Sequence, residues 1–323
     1  MRAIEVTEYG DADGLSVVER DPPEPGEGQV RVAVEAAGVN FADIQQRRGH
    51  YPGGPEPPFV PGLEAAGTVD ATGDGVDLPE GQRVVAMANL GGYAEYAVAD
   101  ARSLFPIPEG MSFREAAGFP VQFLTAHNSL FDWGGLAEGE RVLIQAAAGG
   151  VGTAAVQLAS HAGAEVFGTA STAEKLDLAE RLGADHPIDY TEASFGERVD
   201  DVTDGEGVDL VLDGVGGDVF DESLDALAQF GRLVTIGAAS GNPPAAPATK
   251  LLMANKRVIG FHLGNAVYHD ASRVLDSVPE LTELLTSGEL EVVVGETFDL
   301  SAAAEAHAHI EDRASVGKVL LEP

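Results

Sequence analysis

The stretch "RVLIQAAAGGVGTAAVQLA", residues 141–159, constrains the fold more tightly than any other. An apolar strand runs into a glycine-rich turn, and a helix begins at Val151. The pattern Ala146-x-x-Gly149-x-x-Gly152 has the spacing of a dinucleotide-binding turn, with alanine in place of its first glycine. Gly149 would let the backbone approach a pyrophosphate, and Gly152 would let helix and strand pack closely. The free N–H groups at the start of the helix then face the anion. A plain tight turn could carry the same letters. The strand–turn–helix context, followed by a second strand–helix unit, favours phosphate binding.

On either side of this turn the texture differs. Up to about residue 118 the chain is β-rich: "QVRVAVEAAGVN" alternates Val30, Val32, Val34 and Ala36 on one face. "GLEAAGTVDATG", "QRVVAMA" and "YAEYAVAD" follow between turn signals, as in a barrel or sandwich. The segment "YPGGPEPPFVPG", residues 51–62, is too proline-rich for a helix or central strand. It is either a rigid connector or a wall of an active-site cleft. From about residue 120, continuous apolar strands alternate with amphipathic helices, which predicts a parallel sheet covered on both faces. Its strands are "RVLIQAA", "AEVFGTAS", "HPIDY", "GVDLVLDGV" and "GRLVTIGAAS". The helix after "AEVFGTAS" is "TAEKLDLAERLGA", and "SFGERVDDV" and "DVFDESLDALAQF" supply two more. A long helix near 270–287, the strand "EVVVGETF", the helix "SAAAEAHAHIED" and the strand "GKVLLEP" do not extend that pattern. They are expected to return to the first domain. The expected division is thus 1–119 with 264–323, and 120–263.

Composition narrows the partners. Asp and Glu total 53 against 19 Lys and Arg, a formal charge of −34. The acid is scattered among periodic apolar segments, which predicts a solvated acidic surface on a folded protein and a salt-rich cytoplasm as its setting. Such a surface repels nucleic acid and anionic lipid, so neither is an expected partner. The chain has no cysteine, which removes disulfides, thiol catalysis and thiolate metal sites together. "MRAIEVTEYG" contains no apolar core of a signal peptide, and no window reads as a membrane span. A soluble, cytoplasmic protein is the expectation.

The second strand of the parallel sheet bears on which dinucleotide is bound. A site for NAD wants an acidic residue about 20 positions on, to hold the ribose 2′-hydroxyl. Here "EVFGTASTAEK" offers Gly168, Thr169, Ala170, Ser171 and Thr172, then Lys175 one turn into the helix. The chain holds only four lysines, Lys175, Lys250, Lys256 and Lys318, so one at this position points to a 2′-phosphate and to NADPH. The bland alternatives are a capping box of Ser171 with Glu174 and a solvated Lys175.

The order of these pieces resembles the medium-chain dehydrogenase/reductase superfamily, and within it the zinc-free quinone oxidoreductase group that includes zeta-crystallin. The motifs "AAGVNFAD", "RRGHYP", "PGLEAAGTV", "GYAEYAV", "LTAHNSL", "VLIQAAAGGVG", "GTASTAEK" and "EDRASVGKVLL" match in order over nearly the whole chain. The resemblance implies an α/β protein: a GroES-like β-barrel catalytic domain plus a doubly wound parallel-sheet (Rossmann) cofactor domain, with the active site in the cleft. It also implies a homodimer or homotetramer joined through Rossmann edges. Asn40 and Leu63 stand where zinc alcohol dehydrogenases have a cysteine and a histidine ligand, so no metal is expected.

Carried over by motif, Asn40 and Thr125 lie near the nicotinamide and its ribose. Gly149, Gly150 and Val151 cradle the pyrophosphate beside Gly152. Ser171, Thr172, Lys175 and Tyr190 belong to the 2′-phosphate side, and Arg313 is a further cofactor contact. Ser240, Phe261 and Leu263 flank the nicotinamide. Asn40 and Tyr51 are the catalytic candidates: Asn40 as a hydrogen-bond donor, Tyr51 as a stacking surface or proton donor, or else as an apolar wall residue without chemistry. Asp43 reads as a structural turn acid. The chemistry implied is hydride transfer from NADPH to a quinone or an α,β-unsaturated carbonyl. A non-catalytic NADPH-binding protein of the crystallin or vesicle-associated type is the alternative.

Overall fold

The computed structural model describes residues 1–87 and 91–323, so Ala88, the last residue of the predicted "QRVVAMA" strand, lies outside the described residues. Seven strands come first: β1 (Arg2–Val6), β2 (Leu15–Glu19), β3 (Gln29–Val39), β4 (Glu64–Thr72), β5 (Arg83–Met87), β6 (Tyr96–Asp100) and β7 (Leu104–Pro106). The middle of the chain holds β8 (Arg141–Ile144), β9 (Glu165–Ala170), β10 (His186–Asp189), β11 (Val208–Asp213), β12 (Leu227–Thr235) and β13 (Arg257–Gly260). The strands β14 (Val294–Asp299) and β15 (Lys318–Glu322) close it. Two compact units result, Met1–Val121 with Leu285–Pro323, and Gln122–Leu284.

In the first unit β1 pairs with β2, and a mixed sheet runs β14-β15-β3-β4-β5-β7 with β6 paired to β3. Val30, Val32 and Val34 of β3 are buried in alternation, as the period-two pattern predicts. Beyond them Ala36, Ala37 and Val39 are all buried, because β15 lies antiparallel along that end with Val319 opposite Val39 and Leu321 opposite Ala37. The first helix, α1 (Phe41–Arg48), follows β3 directly, and two short ones, α2 (Phe113–Ala117) and α3 (Pro120–His127), lead out of the unit.

The second unit is a six-stranded parallel sheet in the order β10-β9-β8-β11-β12-β13. The chain winds from β8 to one side and then from β11 to the other, so a topological switch point falls between β8 and β11. Leu143, Phe167, Val211 and Leu233 form the centre of its core. Its helices are α4 (Gly150–His161), α5 (Ala173–Arg181), α6 (Phe195–Thr203), α7 (Asp218–Ala226), α8 (Ala248–Ala254), α9 (Leu263–Leu275) and α10 (Val278–Ser287). The remaining helix, α11 (Ala303–Glu311), belongs to the first unit.

Three expectations are revised. The predicted helix "DVFDESLDALAQF" stops at Ala226, where Leu227 pairs with Val208 and opens β12; Phe230 then takes φ 68°. The long helix near 270–287 is two helices, α9 and α10. Asp270 is non-helical (φ −151°, ψ 74°), and its carboxylate accepts the Ser272 hydroxyl and the Arg273 N–H, restarting the helix as a cap would. The return to the first unit comes at Leu285, later than 264. The intervening stretch is held to the second unit, since Asn128 donates to Val274 O at 3.2 Å and the Arg273 guanidinium lies 4.1 Å from the Trp133 ring centre.

Candidate active site: a nucleotide turn and a buried polar cluster

At the carboxyl end of β8 the chain makes the turn that the glycine spacing predicts. Ala146, which replaces the first glycine, adopts a left-handed conformation at φ 54°, one that side-chain-bearing residues rarely enter. Its N–H is accepted by the Thr169 hydroxyl at 3.2 Å. That hydroxyl donates to Gln145 Oε1 at 2.7 Å, and Gln145 Nε2 donates to Ser223 at 3.0 Å. Three elements, β8, β9 and α7, thus brace the strained residue.

The two later glycines do different work. A Cβ at Gly152 would lie 2.2 Å from Ala146 O and 2.8 Å from the Ala147 backbone, so only glycine lets α4 come this close. A Cβ at Gly149 would meet only Ala146 O, at 3.3 Å, and Gly149 has an ordinary extended conformation. Nothing inside the protein strictly demands glycine there. What its bareness provides is an open backbone at the start of α4, where Gly150 and Val151 are half-buried and no acidic side chain sits in the first turn.

The residues assigned to the far end of the nucleotide gather beside this turn. Ser171 and Thr172 follow β9, and Lys175 lies half-buried in the first turn of α5. The cap of α5 is Thr172, which accepts the Lys175 N–H, so the Ser171–Glu174 capping box does not form and Ser171 stays outside the cap. Tyr190, just past β10 and 40% exposed, donates its N–H to Ala170 O, which holds it next to Ser171. Ser240 follows β12, and its hydroxyl accepts the Asn242 N–H. Phe261 and Leu263 follow β13. Phe261 is 5% exposed with its ring centre 4.7 Å from that of Trp133, so it is packed as core, while Leu263 is half-buried. Thr125 is buried in α3. Apart from Thr125, these residues lie at the carboxyl ends of parallel strands, the rim where such sheets bind ligands.

Asn40, Tyr51 and Arg313 belong to the first unit. Asn40 precedes α1, and its carboxamide is clasped. Oδ1 accepts from Lys318 Nζ at 2.7 Å, while Nδ2 donates to Glu64 Oε1 at 3.0 Å and to Gly38 O at 3.3 Å. Lys318 also pairs with Glu64, and both side chains are out of solvent. The Asn40 N–H donates to Asp43 at 2.8 Å, and Asp43 also accepts the Tyr93 hydroxyl at 3.0 Å. Burial pushes the Asp43 carboxyl up to about 7. Tyr51 is half-buried, and burial together with the nearby Asp43 raises its phenol, which keeps its proton. Arg313 is exposed after α11, at φ 57°.

Sequence reasoning missed Glu64, Lys318 and Tyr93, and also His307, whose Nε2 lies 3.2 Å from the Tyr93 hydroxyl. A signal existed for two of them: Glu64 interrupts the apolar run "GLEAAG", and Lys318, one of four lysines, begins the apolar strand "KVLLE". Zinc does not fit this cluster. Asn40 and Leu63 bring neither thiolate nor imidazole, the Asn40 Oδ1 is taken by Lys318 Nζ at 2.7 Å, and that ammonium would repel a cation. Among the described residues no group of three His, Cys, Asp or Glu side chains could hold a metal ion.

The alcohol dehydrogenase GroES-like domain pattern matches residues 26–109, and the zinc-binding dehydrogenase pattern matches residues 150–280. A quinone oxidoreductase-like protein 2 homolog of Nematostella vectensis is 39% identical over 92% of this chain and 82% of its own. The human synaptic vesicle membrane protein VAT-1 homolog is 36% identical over 100% of this chain and 86% of its own. The Escherichia coli quinone oxidoreductase, solved in complex with NADPH, superposes with a TM-score of 0.93 at 34% identity, covering 100% of both chains. The two-unit fold and its nucleotide turn define an oxidoreductase of GroES-like and Rossmann construction. The chain belongs to the medium-chain dehydrogenase/reductase superfamily, in its quinone oxidoreductase group.

Proposed function

We propose that this protein is an NADPH-dependent, zinc-independent reductase that passes hydride to a quinone or an α,β-unsaturated carbonyl. The observation that carries the cofactor choice is the end of β9: Gly168, Thr169, Ala170, Ser171 and Thr172 put no acid at the strand end, Ser171 is not the cap of α5, and Lys175 stands in the first turn of the helix that follows. NADPH, when bound, supplies the hydride. The residues of this chain orient it and handle the acceptor. Gly149, Gly150, Val151 and Gly152 present the start of α4 to the pyrophosphate. Ser171, Thr172, Lys175, Tyr190 and Arg313 are assigned to the adenosine end, and Thr125, Ser240 and Leu263 to the nicotinamide end, where Phe261, packed on Trp133, can act only as backing. Asn40 holds the reacting end through its carboxamide, and Tyr51, still protonated, can stack on a flat acceptor or give its proton.

Lys175→Ala is expected to weaken NADPH by about 10- to 150-fold, the value of a charge-assisted contact, and to leave NADH nearly untouched. Screening at molar salt brings the loss toward the lower figure. Dissociation constants for both cofactors, with and without the substitution, check it. An equal loss for both would mean that Lys175 does not read the phosphate. Oxidation of NADPH against quinones and enones tests the reductase reading itself. Tight NADPH binding with no turnover would favour the second reading, a non-catalytic nucleotide-binding protein, which the likeness to the vesicle-membrane relative supports.

The charge of −34 supports a cytoplasmic, salt-adapted protein that avoids nucleic acid and anionic membranes. Among the described residues no helix is long and apolar enough to cross a membrane. A homodimer or homotetramer would cover the edge strand β13 and the exposed Leu252 and Met253 of the preceding helix α8. Self-repulsion among these carboxylates extends over a Debye length of ~10 Å at 0.1 M salt and collapses at higher salt. Raising KCl from about 0.1 M to about 2 M is therefore expected to raise the melting temperature, and an unchanged or lower value would contradict the salt-adapted reading.

A further inference from the structure

The strand β15 brings an ammonium into the interior of the first unit, and the reductase reading gives it no task. Lys318 is 3% exposed and its partner Glu64 is fully buried. Burying such a pair is weak evidence for stability, because desolvation offsets most of the attraction. The pair stands on two sides of one neutral carboxamide. The cation meets Oδ1 of Asn40 and the anion meets its Nδ2. A carboxamide is nearly symmetric in shape, so packing alone does not choose which end points where. A cation on one side and an anion on the other do choose: the reversed amide would set N–H against ammonium and C=O against carboxylate.

The surroundings are built for this arrangement. A Cβ at Gly38 would lie 2.6 Å from Glu64 Oε1 and 2.7 Å from Lys318 Cε, so the bare glycine leaves the pair its room. The second Glu64 oxygen accepts the Val121 N–H at 2.8 Å, which fixes the carboxylate plane. The ammonium on Oδ1 also polarises the amide and makes its N–H protons stronger donors. One of these protons goes to Gly38 O at 3.3 Å, a long bond that a ligand oxygen could replace.

We propose that Lys318 and Glu64 are positioning residues, which fix the orientation and donor strength of the Asn40 carboxamide. This rests on the reading of Asn40 as the residue that holds the reacting end.

The test is a neutral pair, Glu64→Gln/Lys318→Met, with Asn40→Ala and the triple variant, in the full-length enzyme with NADPH and 1,4-naphthoquinone. With asparagine labelled by nitrogen-15, the Asn40 side-chain amide, assigned by its loss in Asn40→Ala, is expected to show two widely separated proton signals in the wild type. In the neutral pair they should move together. Asn40→Ala and the neutral pair should each lower kcat/KM about tenfold, and the triple variant should be no slower than either. That lack of additivity is what a merely structural pair would not produce. Unmoved amide signals, wild-type kcat/KM in the neutral pair, or a triple variant as slow as the two losses multiplied would overturn the proposal. Asn40→Ala with wild-type kcat/KM would instead remove the role given to Asn40, and the positioning role with it. Should the neutral pair fail to fold, Glu64→Leu/Lys318→Met carries the same expectations, since apolar side chains commonly replace buried ions without loss of fold.

Discussion

Gly152→Ala is expected to weaken NADPH by at least ~100-fold and to lower stability by about 1–3 kcal/mol, the usual range for overpacking. The added methyl carbon would stand 2.2 Å from Ala146 O, which is backbone and cannot swing aside. Either α4 retreats from β8 or Ala146 leaves its left-handed conformation, and the bonds through Thr169 and Gln145 resist the second. Both movements displace the N–H groups at the start of α4 to which the proposed function assigns the pyrophosphate. Losing two charge-assisted bonds of about 1.5–3 kcal/mol each accounts for the affinity loss. Gly149→Ala is the contrast: its methyl meets one oxygen at 3.3 Å, so the melting temperature should stay close to wild type while NADPH still weakens. Thermal melts without cofactor and NADPH titrations separate the two. If Gly149→Ala melts as low as Gly152→Ala, Gly149 is a packing residue and the division of labour in the turn is wrong.

How legible the protein was in its sequence follows from how local each signal is. The strand–turn–helix around Gly149 and the alternation in β3 are short-range patterns, and both stand in the structure. The left-handed Ala146 was not legible, because alanine announces no positive φ; its conformation is held by Thr169, 23 residues away. The same limit applied to helix ends. Helical periodicity continued through Leu227, but pairing with Val208 made that residue a strand. Non-local polar contacts were the least visible. Lys318 and Asn40 are 278 residues apart, and nothing in either neighbourhood names the other. The charged residues inside apolar runs, Glu64 and Lys318, were the available clue, since such residues rarely go inside unpaired.

A second buried chain in the first unit leads to an effect of comparable size that the wild type hides. The Tyr93 hydroxyl lies 3.0 Å from Asp43 Oδ2 and 3.2 Å from His307 Nε2. Burial raises Asp43 from its ordinary 3.8 to about 7, and burial with the nearby Arg47 charge lowers His307 from 6.5 to about 3. Between pH 3.8 and 6.5 the unfolded chain therefore carries ionised Asp43 and protonated His307, while the folded chain carries protonated Asp43 and neutral His307. Folding takes up one proton at Asp43 and releases one at His307. Alone, Asp43 would make stability fall as pH rises through this window, and His307 would make it rise, each by about 1.4 kcal/mol per pH unit. Together they cancel. Removing either should expose the other. Relative to wild type, Asp43→Asn is expected to gain about 2 kcal/mol between roughly pH 4.5 and 6.5, and His307→Gln to lose about as much over the same interval. Denaturant unfolding of the three proteins at matched high salt, which quiets the surface carboxylates, measures both slopes. The double variant should run parallel to wild type. Two single variants whose stability differences from wild type are flat, or change in the same direction with pH, would show that Asp43 and His307 do not exchange protons with the unfolded state in this way.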